Sequence, residues 1–597
     1  MSVRDVLSPF TAWKHLFREP VTIRDPLTQR PGAPRYRGFH QNDLELCIGC
    51  GTCEAICQNA AIDMLPAPGI ATRQGDSGLR PRIDYGRCCW CALCVDVCMT
   101  GSLGMSNEYK WTETDPDRFL YMPGVDKKHW DDAPLGYRRP DHHSLTGRTR
   151  VTMGELEPEE RIDSFTEIVA GYTLEQAKLE ADRCVSCGLC VATCPTHMAI
   201  PDYIAAVRDG DYERGLKILY DTNPFSGICG RVCTHKCETT CAARHEGDAI
   251  AIRWLKRHIM DQVTLDQCRA AVGSPAPATG KRVAIVGAGP GGLTAAFDLA
   301  KQGHQVTVFE ALDGPGGMTR WGIPEYRLPY ASIDQDVEVI RSLGVDIRYQ
   351  VRIGTDIPLE TLRAEHDVVL IALGLQLGRS TRIPGSDHAQ VRKAVDLLRQ
   401  ATAGEDFATP RRAVVIGGGN VAMDIARTLA RLQRPTYGQV QVTVTALEDL
   451  AHFLADPDEI KEAGEEGIDI LDARGPQQIV IEGDRVTGLK TWHVKAIFDA
   501  DGRFAPSYDP TDEQFHPADM VIEAIGQMSD TSLLGEALTE RLAWARGRLQ
   551  VDATGRTSEP WLWAAGDMVR GPDVVSAVAD GHRVAAGIHA ALSQPAA

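Results

Sequence analysis

KRVAIVGAGPGGLTAAFDLAKQGHQVTVFE, residues 281–310, is the stretch on which the fold of this 597-residue chain turns. An apolar strand, Val283 to Val286, runs into Gly287-x-Gly289-x-x-Gly292, a helical pattern follows, and a second strand, Val306 to Phe309, ends in Glu310. Strand, glycine turn, helix and strand in that order form the βαβ unit that binds a dinucleotide. Gly287 is expected to make the tight turn, Gly289 to let the backbone approach a pyrophosphate, and Gly292 to permit close helix packing. The helix N-terminus stabilises the diphosphate, and Glu310 accepts a hydrogen bond from a ribose hydroxyl.

Downstream, RRAVVIGGGNVAMDIARTLARL (411–432) repeats the pattern, with Gly417, Gly419 and Ala422 in the three positions, so two dinucleotides are expected. The strand around Val440 to Thr445 leads to Glu448-Asp449. An acidic side chain there bonds both ribose hydroxyls but repels a 2′-phosphate, so Glu448 predicts NAD(H) over NADP(H). Near the C-terminus, WLWAAGDMVRGPDVVSAVADGHRVAAGI (561–588) reads as a strand ending at Gly566-Asp567 and a helix whose start faces a ligand.

Upstream, the 18 cysteines dominate. Three runs share the spacing C-x2-C-x2-C-x3-C: Cys47, Cys50, Cys53, Cys57; Cys88, Cys91, Cys94, Cys98; and Cys184, Cys187, Cys190, Cys194. A looser quartet follows at Cys229, Cys233, Cys237 and Cys241, which leaves Cys89 and Cys268 without a role. A tight loop wraps an iron–sulfur cubane with three thiolates while the fourth cysteine serves a neighbouring cluster. Zinc or a redox pair explains a lone C-x2-C but not a triplet-plus-one repeated three times. Four [4Fe-4S] clusters in two pairs are therefore predicted. Ferredoxin-style crossing groups Cys47, Cys50, Cys53 with Cys98, and Cys88, Cys91, Cys94 with Cys57. The proline that usually follows the last cysteine is kept at Pro195 but replaced by Gln58 and Met99, a change expected to move cluster potential rather than fold.

A formal net charge of -18 argues against a nucleic-acid partner, since phosphate binding needs clustered Lys and Arg. No run of about 20 apolar residues is present, and charges at Arg4, Asp5, Lys14 and Arg18 interrupt any signal-peptide core, so a cytoplasmic location is expected, with membrane contact only through a partner.

Residues from about 166 to 597 resemble the small subunit of glutamate synthase and its relatives, including the N-terminal half of dihydropyrimidine dehydrogenase. The motifs that carry the likeness are RCVSCGLCVATCP (183–195), NPFSGICGRVCTHKCETTC (223–241), VGAGPGGL (286–293), GGMTRWGIPEYRLP (316–329), IGGGNVAMD (416–424) and AAGDMVRG (564–571). The resemblance implies a helical domain with two [4Fe-4S] clusters, FAD in the first Rossmann unit, and the nicotinamide nucleotide in a second unit inserted within it. It places Gly317 among the cofactor contacts and Asp567 at the flavin ribityl chain. It also implies one cluster on Cys184, Cys187, Cys190 and Cys241, and another on Cys194, Cys229, Cys233 and Cys237. NADPH-using members carry a basic pair where this chain has Glu448-Asp449, a departure that argues against NADPH and against a plain glutamate synthase role. Residues from about 14 to 108 are similar to the two-cluster subunit of respiratory complex I, on KHLFREPVTIRDPLTQRPGAPRYRGFH (14–40), LCIGCGTCEAIC (46–57) and CCWCALCVDVC (88–98). That likeness implies an electron relay with a docking extension, and a simple surface cover fits the leading segment equally well.

The expected architecture is multidomain, α/β and α+β. It comprises an extension (1–42), a ferredoxin-like domain (43–108), a polar linker (109–165), a helical cluster domain (166–275), an FAD unit (280–395 and 520–597) and an inserted NAD unit (396–519). The DHHSLTGRTR stretch (141–150) reads as an exposed loop. The expected function is an electron-transfer subunit of a hetero-oligomer, linking NAD(H) to a partner oxidoreductase or ferredoxin through FAD and four clusters. Hydride transfer requires no side-chain acid or base, so no catalytic residue is nominated. A glutamate synthase small subunit, a self-contained NADH:ferredoxin oxidoreductase and a non-catalytic wiring subunit remain alternatives.

Overall fold

The computed structural model describes residues 8–18, 32–140, 147–405 and 407–593. The chain divides into two compact units, Met1–Arg148 with Ala242–Asp248, and Thr149–Cys241 with Ala249–Ala597. Among the described residues no helix is long and apolar enough to cross a membrane.

The first unit is built on short antiparallel pairings. His40–Asn42 pairs with Leu103–Met105, and Ile62–Pro66 pairs with Leu79–Asp84, to which Leu120–Tyr121 adds a third strand. Strands of two to six residues bury little, and the core is aromatic instead. Phe39 stacks on Trp130 at 4.3 Å between ring centroids, with Tyr85, Trp111 and Tyr121 packed edge-on around them. Trp130 is completely buried and Tyr121 joins the sheet, so residues 109–140, read from their polarity as linker, pack into this unit. The reason is that few residues, all aromatic, supply a large apolar area amid charged neighbours that sit on the surface. Of the N-terminal extension, a 3-10 helix at Ser8–His15 is described and residues 32–39 pack on the unit, while 1–7 and 19–31 lie outside the described residues. So do 141–146 of the exposed-loop stretch.

The second unit begins with helices. Leu174–Asp182 and Leu265–Val272 each open on a capping box, Thr173 with Gln176 and Thr264 with Gln267, in which side chain and backbone satisfy each other's amides. Between them lie Ile200–Asp209, Tyr212–Tyr220, Ser226–Val232 and Ile252–Asp261. Two parallel five-stranded sheets follow. The first has the spatial order Asp346–Arg348, Gln305–Phe309, Arg282–Val286, Val368–Ile371, Leu562–Ala564. The second runs Val391–Lys393, Met520–Glu523, Ala413–Ile416, Val442–Thr445, Asp469–Leu471. The second sheet lies in sequence between the last two strands of the first, as an insertion must, but it takes in Val391–Lys393 and Met520–Glu523, which the sequence reading left in the FAD unit (280–395 and 520–597): parallel pairing of Met520–Glu523 with Ala413–Ile416 draws both into the inserted sheet. Central strands such as Ala413–Ile416 and Val368–Ile371 are buried at every position, as parallel strands covered on both faces must be. A long antiparallel ribbon, Arg474–Glu482, Arg485–Phe498 and Phe504–Pro517, was not anticipated. Its register shifts between Trp492 and His493 and again near Val494 to Phe498, which blurs the period-two pattern that would have marked it.

Candidate functional site

At the end of Arg282–Val286 the chain turns at Gly287 with φ +109, and a Cβ there would stand 2.4 Å from the Ala372 carbonyl oxygen. Only glycine fits that approach. A Cβ on Gly292 would lie 2.2 Å from the Gly287 carbonyl, so the third glycine packs beneath the turn, while Gly317 and Gly289 lie back to back with 2.9 Å left for a Cβ. The helix Pro290–Lys301 opens on Gly289 with proline in its first turn, where no amide hydrogen is needed. Gly287, Gly289, Glu310, Gly317, Gly566 and Asp567 all line the cavity at this helix N-terminus. Six of the seven residues nominated for the first dinucleotide are thus in one wall, and Gly292 supports it.

The two acids in that cavity differ. Glu310 accepts from the Ala288 amide at 2.8 Å and the Leu312 amide at 2.9 Å, so its carboxylate braces the turn with lone pairs left for a ligand. Burial raises its pKa against these bonds. Asp567 is held with Oδ1 buried and without a partner, and burial, aided by Asp573 and Asp580, pushes its pKa up to about 7. An orphaned buried acceptor facing a cavity fits a ligand hydroxyl, which is what a ribityl chain presents. Met318, Trp321, Gln376 and Arg399 also line it; the first two lie in the GGMTRWGIPEYRLP motif, and no sequence pattern singled out Gln376 or Arg399.

The second turn repeats the first. Gly417 has φ +143 and room for a Cβ only 2.5 Å from the Ala524 carbonyl, as Gly287 has against Ala372. Gly419 caps Asn420–Tyr437 with open space beside it, and the Ala422 methyl is accommodated in the core. The Glu448 Oε2 lies 3.2 Å from the position a Cβ would take on Gly418, so this carboxylate leans over the turn. Asp449 instead caps the 3-10 helix Leu450–His452 and bonds His452.

All 18 cysteines are free of disulfides. In the three regular runs the residues on either side of the second cysteine are left-handed: Gly49 and Gly51, Trp90 and Ala92, Ser186 and Gly188. Two consecutive positive-φ corners around one cysteine curl the loop into a cup, and the same cup formed three times by different side chains points to the same occupant. The thiols are pushed up by burial and by one another: Cys88 to about 11 with Cys89, Cys57 and Cys91 among its neighbours, Cys94 to about 12 with Cys88, Cys91 and Cys57, and Cys53 upward with Cys50, Cys94, Cys98 and Cys47. Cys190 is raised beside Cys187, Cys184 and Cys241, and Cys237 beside Cys233 and Cys194. Thiols so crowded and desolvated do not ionise alone, and a bound iron cluster removes that cost. These neighbourhoods cross between runs, Cys98 acting on Cys50 and Cys57 on Cys88 and Cys94, while Cys94 also acts on Cys53.

Cys194, Cys229, Cys233 and Cys237 line a cavity whose wall also includes Lys256 and Val575. Burial alone would depress Lys256, but Cys229, Cys233, Cys194 and Cys237 around it raise its pKa. Val575 stands at the start of helix Val574–Ser593, eight positions after Asp567, and Lys236 reaches Asp573 at 3.2 Å. One segment, Gly566 to Val575, therefore walls both the dinucleotide cavity and a cysteine cavity.

Residues 281–581 match the pyridine nucleotide-disulphide oxidoreductase family, 161–268 the dihydropyrimidine dehydrogenase domain II with its 4Fe-4S cluster, and 46–102 the 4Fe-4S dicluster domain. The chain is similar to the NADP(+)-dependent formate dehydrogenase subunit beta of Moorella thermoacetica, 36% identical over 68% of this chain and 60% of that one, so it spans three fifths of that relative. It is 32% identical to the glutamate synthase [NADPH] small chain of Halomonas elongata over 73% of this chain and 96% of the relative. With the NAD-dependent dihydropyrimidine dehydrogenase subunit PreT of Escherichia coli it shares 33% identity, over 71% and 96%.

Proposed function

From the premise that the chain belongs to the pyridine nucleotide-disulphide oxidoreductase family, with ferredoxin-type iron–sulfur domains, we propose that it exchanges electrons between NAD(H) and a partner protein through one FAD and four [4Fe-4S] clusters. The observation that carries this reading is the single segment Gly566 to Val575 shared by the dinucleotide cavity and the Cys194–Cys237 cavity, which brings a hydride acceptor and a one-electron acceptor to the two faces of one wall. FAD, when bound, supplies the step between two-electron hydride chemistry and one-electron relay.

The chain's own residues do the positioning. Gly287, Gly289 and the N-terminus of Pro290–Lys301 take the diphosphate, Glu310 the ribose and Asp567 the ribityl hydroxyls, while Gly417, Gly419 and Glu448 hold the nicotinamide nucleotide. The Cys184 and Cys194 groups would hold the clusters that take single electrons from the flavin, and the quartets beginning at Cys47 and Cys88 would hold those that relay them to the partner. Relatives named as subunits and small chains support a hetero-oligomer. Thiolate ligands in this number need a reducing compartment, which supports a cytoplasmic location.

The test is anaerobic purification of the tagged protein from its native host, with identification of co-purifying chains and mixing with NADH or NADPH. A stoichiometric partner and flavin bleaching faster with NADH are expected. A lone chain that turns over with free ferredoxin would replace the subunit reading by a free-standing reductase, and a flavin that neither nucleotide bleaches would overturn both.

A further inference from the structure

The ferredoxin-like unit is pseudo-symmetric in its cysteines but not in what touches them. His40, on the strand His40–Asn42, is 1% exposed and places Nε2 3.3 Å from Sγ of Cys94. Its Nδ1 lies 2.9 Å from the hydroxyl of Tyr85, and the same hydroxyl accepts from the His40 backbone amide at 2.8 Å. Tyr85 is buried, so its own proton must find an acceptor, and Nδ1 is the one in reach. Nδ1 is then unprotonated and Nε2 carries the ring proton. A cysteine that ligates iron is a thiolate and can only accept, so the bond runs from Nε2–H to Sγ.

Cys53 occupies the matching third position of the first run, and its neighbour at 3.9 Å is the thioether of Met64, which has no proton to give. Backbone donors serve both cluster groups, Ala61 to Cys57 at 3.3 Å, Trp90 to Cys88 at 3.4 Å and Leu103 to Cys98 at 3.4 Å, and hydroxyls stand beside the other group, Thr52 3.2 Å from Cys50 and Ser102 3.4 Å from Cys98, so His40 is distinguished as a buried ring N–H aimed at one thiolate. A hydrogen bond to a ligand sulfur stabilises the cluster's more negative, reduced form. Resting on the four-cluster reading, we propose that His40 is a positioning residue whose Nε2–H bond to Cys94 raises the potential of the Cys57/Cys88/Cys91/Cys94 cluster above the value it would have without that donor.

The experiment is an EPR-monitored redox titration of the anaerobically purified holoprotein, with iron per chain measured on each sample, for wild type, His40→Phe and His40→Gln. His40→Phe should lower one cluster's potential by roughly 59 mV, the one-electron equivalent of a tenfold change in its reduced-to-oxidised ratio, with iron content unchanged. His40→Gln, whose amide still donates, should restore most of it. Unchanged potentials in His40→Phe at full iron content, or equal shifts in both clusters, would overturn the inference. If His40→Phe loses iron, Tyr85→Phe decides: a smaller fall in the same single potential supports the bond, and no change overturns it. Wild-type protein with too little iron for clusters in this unit would overturn the four-cluster reading and this inference with it.

Discussion

At the scale of single residues, the second turn separates two adjacent acids that are equivalent on paper. Glu448 leans over Gly418 while Asp449 is consumed in capping Leu450–His452, so nucleotide choice should rest on Glu448 alone. Glu448→Arg is expected to reverse the preference from NADH to NADPH by about tenfold or more in kcat/KM, since it replaces a repelled 2′-phosphate by a paired one, a change of at least about 1.4 kcal/mol. Asp449→Asn should leave the ratio within about twofold. Steady-state kinetics with both nucleotides checks the pair. An unchanged ratio in Glu448→Arg would remove the NAD(H) assignment.

At the scale of elements, the glycine turn and the helix on which Cys229 sits are each tied by one tight fit. A methyl on Gly292 has no room against the Gly287 carbonyl, so Gly292→Ala should push helix Pro290–Lys301 off the turn at a cost of about 1–3 kcal/mol and lower the flavin content per chain, read from absorbance. Helix Ser226–Val232 begins on the Asp336 carboxylate, which accepts from the Gly227 amide at 3.3 Å and the Ile228 amide at 3.0 Å from helix Tyr330–Arg341. Burial pushes the Asp336 pKa up to about 7, against those two bonds. The folded chain therefore holds a proton that the unfolded chain releases near pH 4, and this contribution favours the fold at low pH and is lost as pH rises from about 4 to 7. The denaturation midpoint should fall with pH over that window, and Asp336→Asn, which cannot ionise, should flatten the fall. A slope unchanged in Asp336→Asn would show that the carboxyl titrates elsewhere.

Across the second unit, the two nucleotide sheets are joined by a buried ionic network that composition could not reveal. Arg327, from the stretch after Gly317, bonds Asp424 at 2.7 Å and Glu459 at 2.6 Å, and both acids belong to helices beside the second sheet. Arg427 pairs with Glu459 and Glu466, Arg431 with Glu466, and Arg431 lies 3.8 Å over the ring of fully buried Tyr326. Desolvation pushes the Asp424 pKa up to about 6 although Arg327 and Arg427 oppose it, so the pair depends on its partners. Arg327→Met should leave Asp424 buried without its direct counter-charge, while Glu459 keeps Arg427, and cost about 3–5 kcal/mol, seen as early unfolding of the nucleotide-binding region. A double mutant cycle with Asp424→Asn should recover part of that loss.

Much of this was legible in advance because the motifs are local. A glycine turn between strand and helix, or four cysteines within eleven residues, carries its geometry in a few consecutive dihedrals, and the six cavity residues lie together in one wall. Long-range packing was not legible. Trp111, Tyr121 and Trp130 sit among charges and read as linker, yet they fill the first unit's core. His40 was one polar residue in a leading segment until strand pairing set it against Cys94, 54 positions away. Arg327 and Asp424 are each unremarkable in sequence and meet only because the second sheet is inserted into the first. The sequence by itself thus determined which cofactors this chain can hold, since ligand type and spacing are local. Only the tertiary structure decided which side chains tune and lock them, because a hydrogen bond or buried ion pair depends on distances that the order of residues does not contain.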